Sequence, residues 1–192
     1  MRSVNVACRC RYAFAAVALV VAGGCSNSSA SRAAPATSTA TSVGGVPRIP
    51  CERGYVVVPS PDDGNAEVLG RFALAGPADK QALPLVRSAD ADPQRRLWTK
   101  IGLGVRGDSI VELSTAEGES FWFAWSSADK PSQQLTVGGC GADWRFFPGG
   151  FWTDRPKCVH LVVRIDGDTA TLPVGLGEPC PGQLPPSTPS QN

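Results

Sequence analysis

The chain of 192 residues holds one methionine, the initiator, and one histidine, His160. A copper site built from methionine and histidine is thereby excluded, and His160 stands alone as a candidate metal ligand or general base. As a base it needs a nucleophile and an orienting acid brought to it in space, and the nucleophile-elbow pattern G-x-S-x-G is absent. Charge is scarce, at 18% of residues, against roughly 25% in an ordinary soluble domain. No basic cluster exists to follow a phosphate backbone, so nucleic acid is not an expected partner. No apolar run approaches the ~20 residues of a membrane-spanning helix. No segment sustains a 3.6-residue period with caps. "PADKQALPLV" begins one, but Pro84 interrupts it. No internal repeat is visible.

Glycine (21) and proline (17) are abundant, which favours many turns and short strands. The N-terminus has three parts. Arg2, Arg9 and Arg11 come first, then the apolar run Tyr12 to Ala22, then small residues. That order is the order of a secretory signal, expected over residues 1–24. Those three arginines outweigh the formal net charge of +1, so the rest of the chain is slightly acidic.

Ala22-Gly23-Gly24-Cys25 resembles the lipobox of bacterial lipoproteins, with Ala22 where that family usually has Leu, Val or Ile. The resemblance implies diacylglycerol on the Cys25 sulfur and cleavage just before it. Residues 25–50 are Ser-, Ala- and Thr-rich, as a tether holding a domain clear of lipid headgroups should be. The expected place is therefore the extracytoplasmic face of a bacterial membrane. Cys8 and Cys10 precede the cut.

Four cysteines remain: Cys51, Cys140, Cys158 and Cys180. None is closer to another than the 18 positions between Cys140 and Cys158, whereas zinc-binding thiolates come in C-x2-4-C pairs. In an exported domain they predict two disulfides. Cys158–Cys180 with Cys51–Cys140 is preferred; Cys140–Cys158 with Cys51–Cys180 is the close rival. The outer cysteines bound the expected domain, 51–180, and residues 181–192 are expected to form a disordered Pro-rich tail.

Within that domain the two-residue period dominates. Leu97, Thr99, Ile101, Leu103 and Val105 share one face of a single strand, with Trp98 and Lys100 on the other. "SFWFAWSS" alternates likewise. "CVHLVVRI" and "TATLPVGLG" flank Asp166-Gly167, the signal for a hairpin. Further strands are expected at "GYVVVP", "GRFAL", "QLTV" and "DWRFF", with turns at "SPDDGN", "GPADK", "RGDS", "AEGE", "DKPS" and "FPGGF". The expected fold is all-β: an antiparallel β-sandwich, immunoglobulin-like in architecture, of eight or nine short strands.

The expected site residues are few. No catalytic residue, cofactor or metal set is predicted. Asp62-Asp63, Asp90/Asp92 and Asp166/Asp168 sit at turn signals, where aspartate caps the backbone. Arg106-Gly107-Asp108 resembles the integrin-recognition tripeptide of adhesive proteins, although Gly and Asp suit any turn. The aromatics carry more. Alternation cannot bury Phe121, Trp122, Phe123 and Trp125 together, nor Phe151 with Trp152. Trp122 and Trp152 are therefore the candidate platform for a sugar ring or a hydrophobic partner.

The segment "CGADWRFFPGGFWTDRPKCVHLVVRIDGDTATLPVGLGEPC" resembles the closing part of actinobacterial exported lipoproteins that have no established activity. Those carry a Trp, a G-G-F turn, a P-x-C-V strand and a final Cys-Pro in that order. The resemblance implies an exported β domain and assigns no functional residue. Three functions follow as expectations. One is a membrane-tethered module binding an envelope protein or carbohydrate. The second is an envelope hydrolase or transferase around His160. The third is an adhesin using Arg106-Gly107-Asp108.

Overall fold

A computed structural model describes residues 45–56, 66–76, 78–126 and 130–187. The chain divides into Met1–Thr37 and Ser38–Asn192, and everything below belongs to the second unit. Cys25, the cysteines before it, most of the expected tether and Asp62-Asp63 lie outside the described residues.

The fold is all-β, with sheets arranged as in a sandwich. The first sheet orders β1 (Arg48–Ile49), β10 (Gln134–Val137), β8 (Val111–Thr115), β13 (Lys157–Ile165) and β14 (Asp168–Leu176). The second orders β2 (Tyr55–Val56), β11 (Arg145–Phe147), β7 (Leu103–Val105), β4 (Phe72–Leu74) and β3 (Ala66–Val68). The third orders β5 (Val86–Arg87), β6 (Leu97–Lys100), β12 (Gly149–Thr153) and β9 (Trp122–Trp125). The strands are more numerous and shorter than the alternation pattern suggests. All pairs are antiparallel except β1 with β10.

Alternation explains the longest hairpin. In β13, Val159, Leu161, Val163 and Ile165 point inward and are buried, while His160, Val162 and Arg164 point out. Asp166 (φ 54°) and Gly167 (φ 91°) close the turn in the left-handed region, which Gly reaches without a Cβ penalty. Cys158 falls opposite Gly175, as the hairpin register requires.

Two expectations change. Leu97–Val105 is not one strand: β6 belongs to the third sheet and β7 to the second. The chain switches sheets at Ile101-Gly102, so both faces of β7 are buried. "FPGGF" is not a turn either. Gly149 and Gly150 begin β12, the strand between β6 and β9. A Cβ on Gly149 would lie 2.1 Å from the Ala124 carbonyl oxygen, and one on Gly150 would lie 2.0 Å from that of Thr99. The glycines serve close backbone approach rather than a reversal.

One continuous core joins the inner faces of the sheets. Its aromatic centre is Phe121, Phe123, Trp125 and Phe151. Trp125 and Phe151 meet edge to face at 5.5 Å, a geometry worth about 0.5–1.5 kcal/mol beyond area burial. The Trp125 indole N–H donates to the Ile101 carbonyl at 3.1 Å, so its one polar atom is satisfied.

The two preferred disulfides are both present. Cys51–Cys140 joins the 3-10 turn Cys51–Arg53 to the loop after β10, with Cα atoms 5.2 Å apart. Cys158–Cys180 reaches back across "GLGEP" at 4.9 Å. Ordered structure extends past both outer cysteines. β1 precedes Cys51, within the expected tether, and Leu184 follows Cys180 and bridges to Gln81.

Candidate functional site

The outward face of the third sheet carries a row set by strand register. Val86 lies opposite Trp98, Trp98 opposite Trp152, and Trp152 opposite Trp122. Each neighbour is one strand spacing away, about 4.8 Å. The three tryptophans are half-buried and Val86 is 50% exposed. The two residues singled out by alternation, Trp122 and Trp152, are thus direct cross-strand neighbours. Trp98, on the strand face opposite Leu97, completes the row. Alternation placed it outward, but only pairing of β6 with β12 brings it beside Trp152.

The row is not uniform. Trp98 and Trp152 stack at 6.0 Å with planes 22° apart. Trp122 makes no ring contact among the described residues. It lines instead a crevice of about 520 Å³ with Pro47, Pro131, Ser132, Gln133 and Gln134. An indole wall beside neutral amides and a hydroxyl suits a sugar: the ring's C–H face stacks and its hydroxyls hydrogen-bond.

His160 stands on the outer face of β13, in the first sheet. Glu119, from the turn between β8 and β9, meets it twice. Its Oε2 accepts the His160 backbone N–H at 2.6 Å, and its Oε1 lies 2.6 Å from Nδ1. The structure therefore supplies the orienting acid of a base dyad. Among the described residues no hydroxyl bonds the other ring nitrogen. Sequence spacing gave no sign of this partner, 41 residues away.

Arg106-Gly107-Asp108 forms the turn between β7 and β8, with Gly107 at φ 93°. Its arginine is engaged. Arg106 Nε donates to the Gly70 carbonyl at 2.7 Å, and the guanidinium lies 5.1 Å from the centre of the Trp144 ring. The adjoining Ser109 and Arg71 both donate to Asp166 at the hairpin tip. The Ser109 hydroxyl, with Arg71, holds the Asp166 carboxyl below the usual aspartate range against a smaller push from burial. Asp90 is likewise lowered, by the Asp92 backbone N–H and then by Arg95. Asp90/Asp92 and Asp166 are structural carboxylates within turns.

Among the described residues no group of three or more His, Cys, Asp or Glu is placed to hold a metal ion. No helix there is long and apolar enough to cross a membrane. No protein-family model matches the chain, and neither does any curated protein.

Proposed function

We propose that this protein is an extracytoplasmic binding module, held to the bacterial membrane by lipid on Cys25, whose binding surface is the row Trp98–Trp152–Trp122. The row itself carries the reading. Indoles that large ordinarily fill a core, and this fold keeps three of them on an outer sheet face. Exposed aromatic anchors of this kind serve carbohydrate rings and hydrophobic protein partners alike. The anchor reading rests on Ala22-Gly23-Gly24-Cys25 and on the even count of four disulfide cysteines in the mature chain.

The test is crosslinking and pulldown from intact cells, with mass spectrometry of the captured partner and of the N-terminal peptide. An acylated Cys25 peptide is expected. So is a partner or glycan captured by the native chain and lost with Trp98→Ala, Trp122→Ala and Trp152→Ala together. An unmodified N-terminus would remove the anchor. Equal capture by the triple variant would remove the surface.

One observation favours a second reading, an envelope hydrolase: the carboxylate-oriented His160. If it holds, His160→Ala abolishes turnover on envelope substrates while capture through the tryptophan row persists.

A further inference from the structure

A second hollow, of about 360 Å³, opens on the outer face of the first sheet. Val46 and Gln134 belong to its wall and also to the wall of the Trp122 crevice, so the two hollows are neighbours that share a wall. The floor of the second hollow is a register row. Arg48 lies opposite Thr136, Thr136 opposite Glu112, and Glu112 opposite Arg164. Alternation turns all four side chains outward, because Ile49, Val137, Val111 and Val163 fill the core beneath.

The charges of this row are not spent on one another. Arg48, Glu112 and Arg164 form no ion pair and no side-chain hydrogen bond among the described residues, unlike Arg71, Arg95 and Lys157. The Arg48 guanidinium lies beside Gly138 at the end of β10. Two arginines around one carboxylate leave a net positive groove. Ser114, Thr136 and Gln134 add neutral hydrogen-bonding groups along it.

We propose that the two adjoining hollows, from Trp122 to Arg48 and Arg164, together bind a saccharide bearing an anionic group, a carboxylate or a phosphate ester. The proposal rests on the binding-module reading and names its ligand class. One sugar ring stacks on Trp122. Its hydroxyls meet Gln133, Gln134 and Ser132, then Glu112 as acceptor. The anionic group takes the guanidinium of Arg48 or of Arg164, whose planar forks match carboxylate and phosphate oxygens. A neutral chain leaves the arginines unanswered, and an all-anionic polymer is repelled at Glu112.

The experiment is isothermal titration of the full chain in an uncharged polyoxyethylene detergent. Three probes are used: a glucosyl-glucuronic acid disaccharide, a disaccharide phosphate and their neutral parent. Tighter binding of at least one acidic probe than of the parent, by about tenfold, is expected, and which one binds tells carboxylate from phosphate. That preference should shrink with added salt. It should vanish in Arg48→Gln/Arg164→Gln, whose thermal unfolding should match the native chain, and persist in Lys100→Gln. Trp122→Ala should weaken acidic and neutral probes alike. A preference that survives loss of both arginines overturns the proposal, as does equal binding of acid and parent, or binding of neither. Capture of a partner through Trp98 and Trp152 would still stand in each of those cases, so the two readings fail separately.

Discussion

Glu119 holds His160 by both carboxylate oxygens, one on the backbone N–H and one on the imidazole Nδ1. The grip ties the turn after β8 to the middle of β13, and it is made at a half-exposed position, where the histidine side chain is 45% accessible. Glu119→Ala should therefore cost about 1–2 kcal/mol, the range for hydrogen bonds to a charged group partly screened by solvent. Glu119→Gln keeps an acceptor for the backbone N–H and should cost less than half of that. Urea unfolding of the three proteins measures the difference; equal losses would mean that the backbone contact contributes nothing.

The five tryptophans should divide three to two. Trp98, Trp122 and Trp152 are half-buried, whereas Trp125 is 0% and Trp144 4% exposed. Iodide should quench part of the native fluorescence, and Trp98→Phe/Trp122→Phe/Trp152→Phe should leave emission that is blue-shifted and almost unquenched. Strong quenching in that variant would show the tryptophans assigned to the interior to be open to water.

The two disulfides should differ in worth. Cys51–Cys140 closes 89 positions and Cys158–Cys180 closes 22. Loop-closure entropy alone assigns about 4.6 kcal/mol to the first and about 3.4 kcal/mol to the second. Cys51→Ala/Cys140→Ala should thus lower the urea midpoint further than Cys158→Ala/Cys180→Ala. The reverse order would place the larger contribution in the folded state rather than in the unfolded chain.

Asp166 should lend stability that depends on pH. Its carboxyl is held below the ordinary range by Ser109 and then by Arg71. A depressed folded value means that the unfolded chain binds the proton more readily. The contribution is then complete above the ordinary aspartate range and disappears as pH falls through the lower folded value. Asp166→Asn retains a residue that tolerates the left-handed backbone. Its urea midpoint should lie below the native one at about pH 7, and the gap should close as pH falls below the ordinary aspartate range and through the lower folded value. A gap that stays constant with pH would sink the assignment.

Much of this molecule is legible one segment at a time. The hairpin around Asp166-Gly167 follows from alternation on both sides of a two-residue turn, and its register then sets Cys158 opposite Gly175. That register favours Cys158–Cys180 without requiring it, because Cys180 reaches Cys158 only when "GLGEP" folds back, and the fold decides between the two pairings. Elsewhere local pattern misleads. Alternation continues unbroken from Leu97 to Val105, yet the chain changes sheets in between, because alternation reports which side is apolar and not which strand lies alongside. Gly149-Gly150 reads as a turn for the same reason. Its purpose is set by the carbonyls of Ala124 and Thr99, which are distant in sequence.

The candidate site divides along the same line. Alternation alone requires that Trp122 and Trp152 oppose their core-facing neighbours, and a row of residue types in one strand already implies exposure. It says nothing of adjacency between strands. Sheet pairing decided that Trp98, Trp152 and Trp122 stand shoulder to shoulder, that Glu119 meets His160, and that Arg48 and Arg164 flank Glu112. The physical reason is the range of the forces involved. Side-chain alternation and turn chemistry act over a few residues and are written in the chain, whereas burial of a shared core selects which distant strands become neighbours.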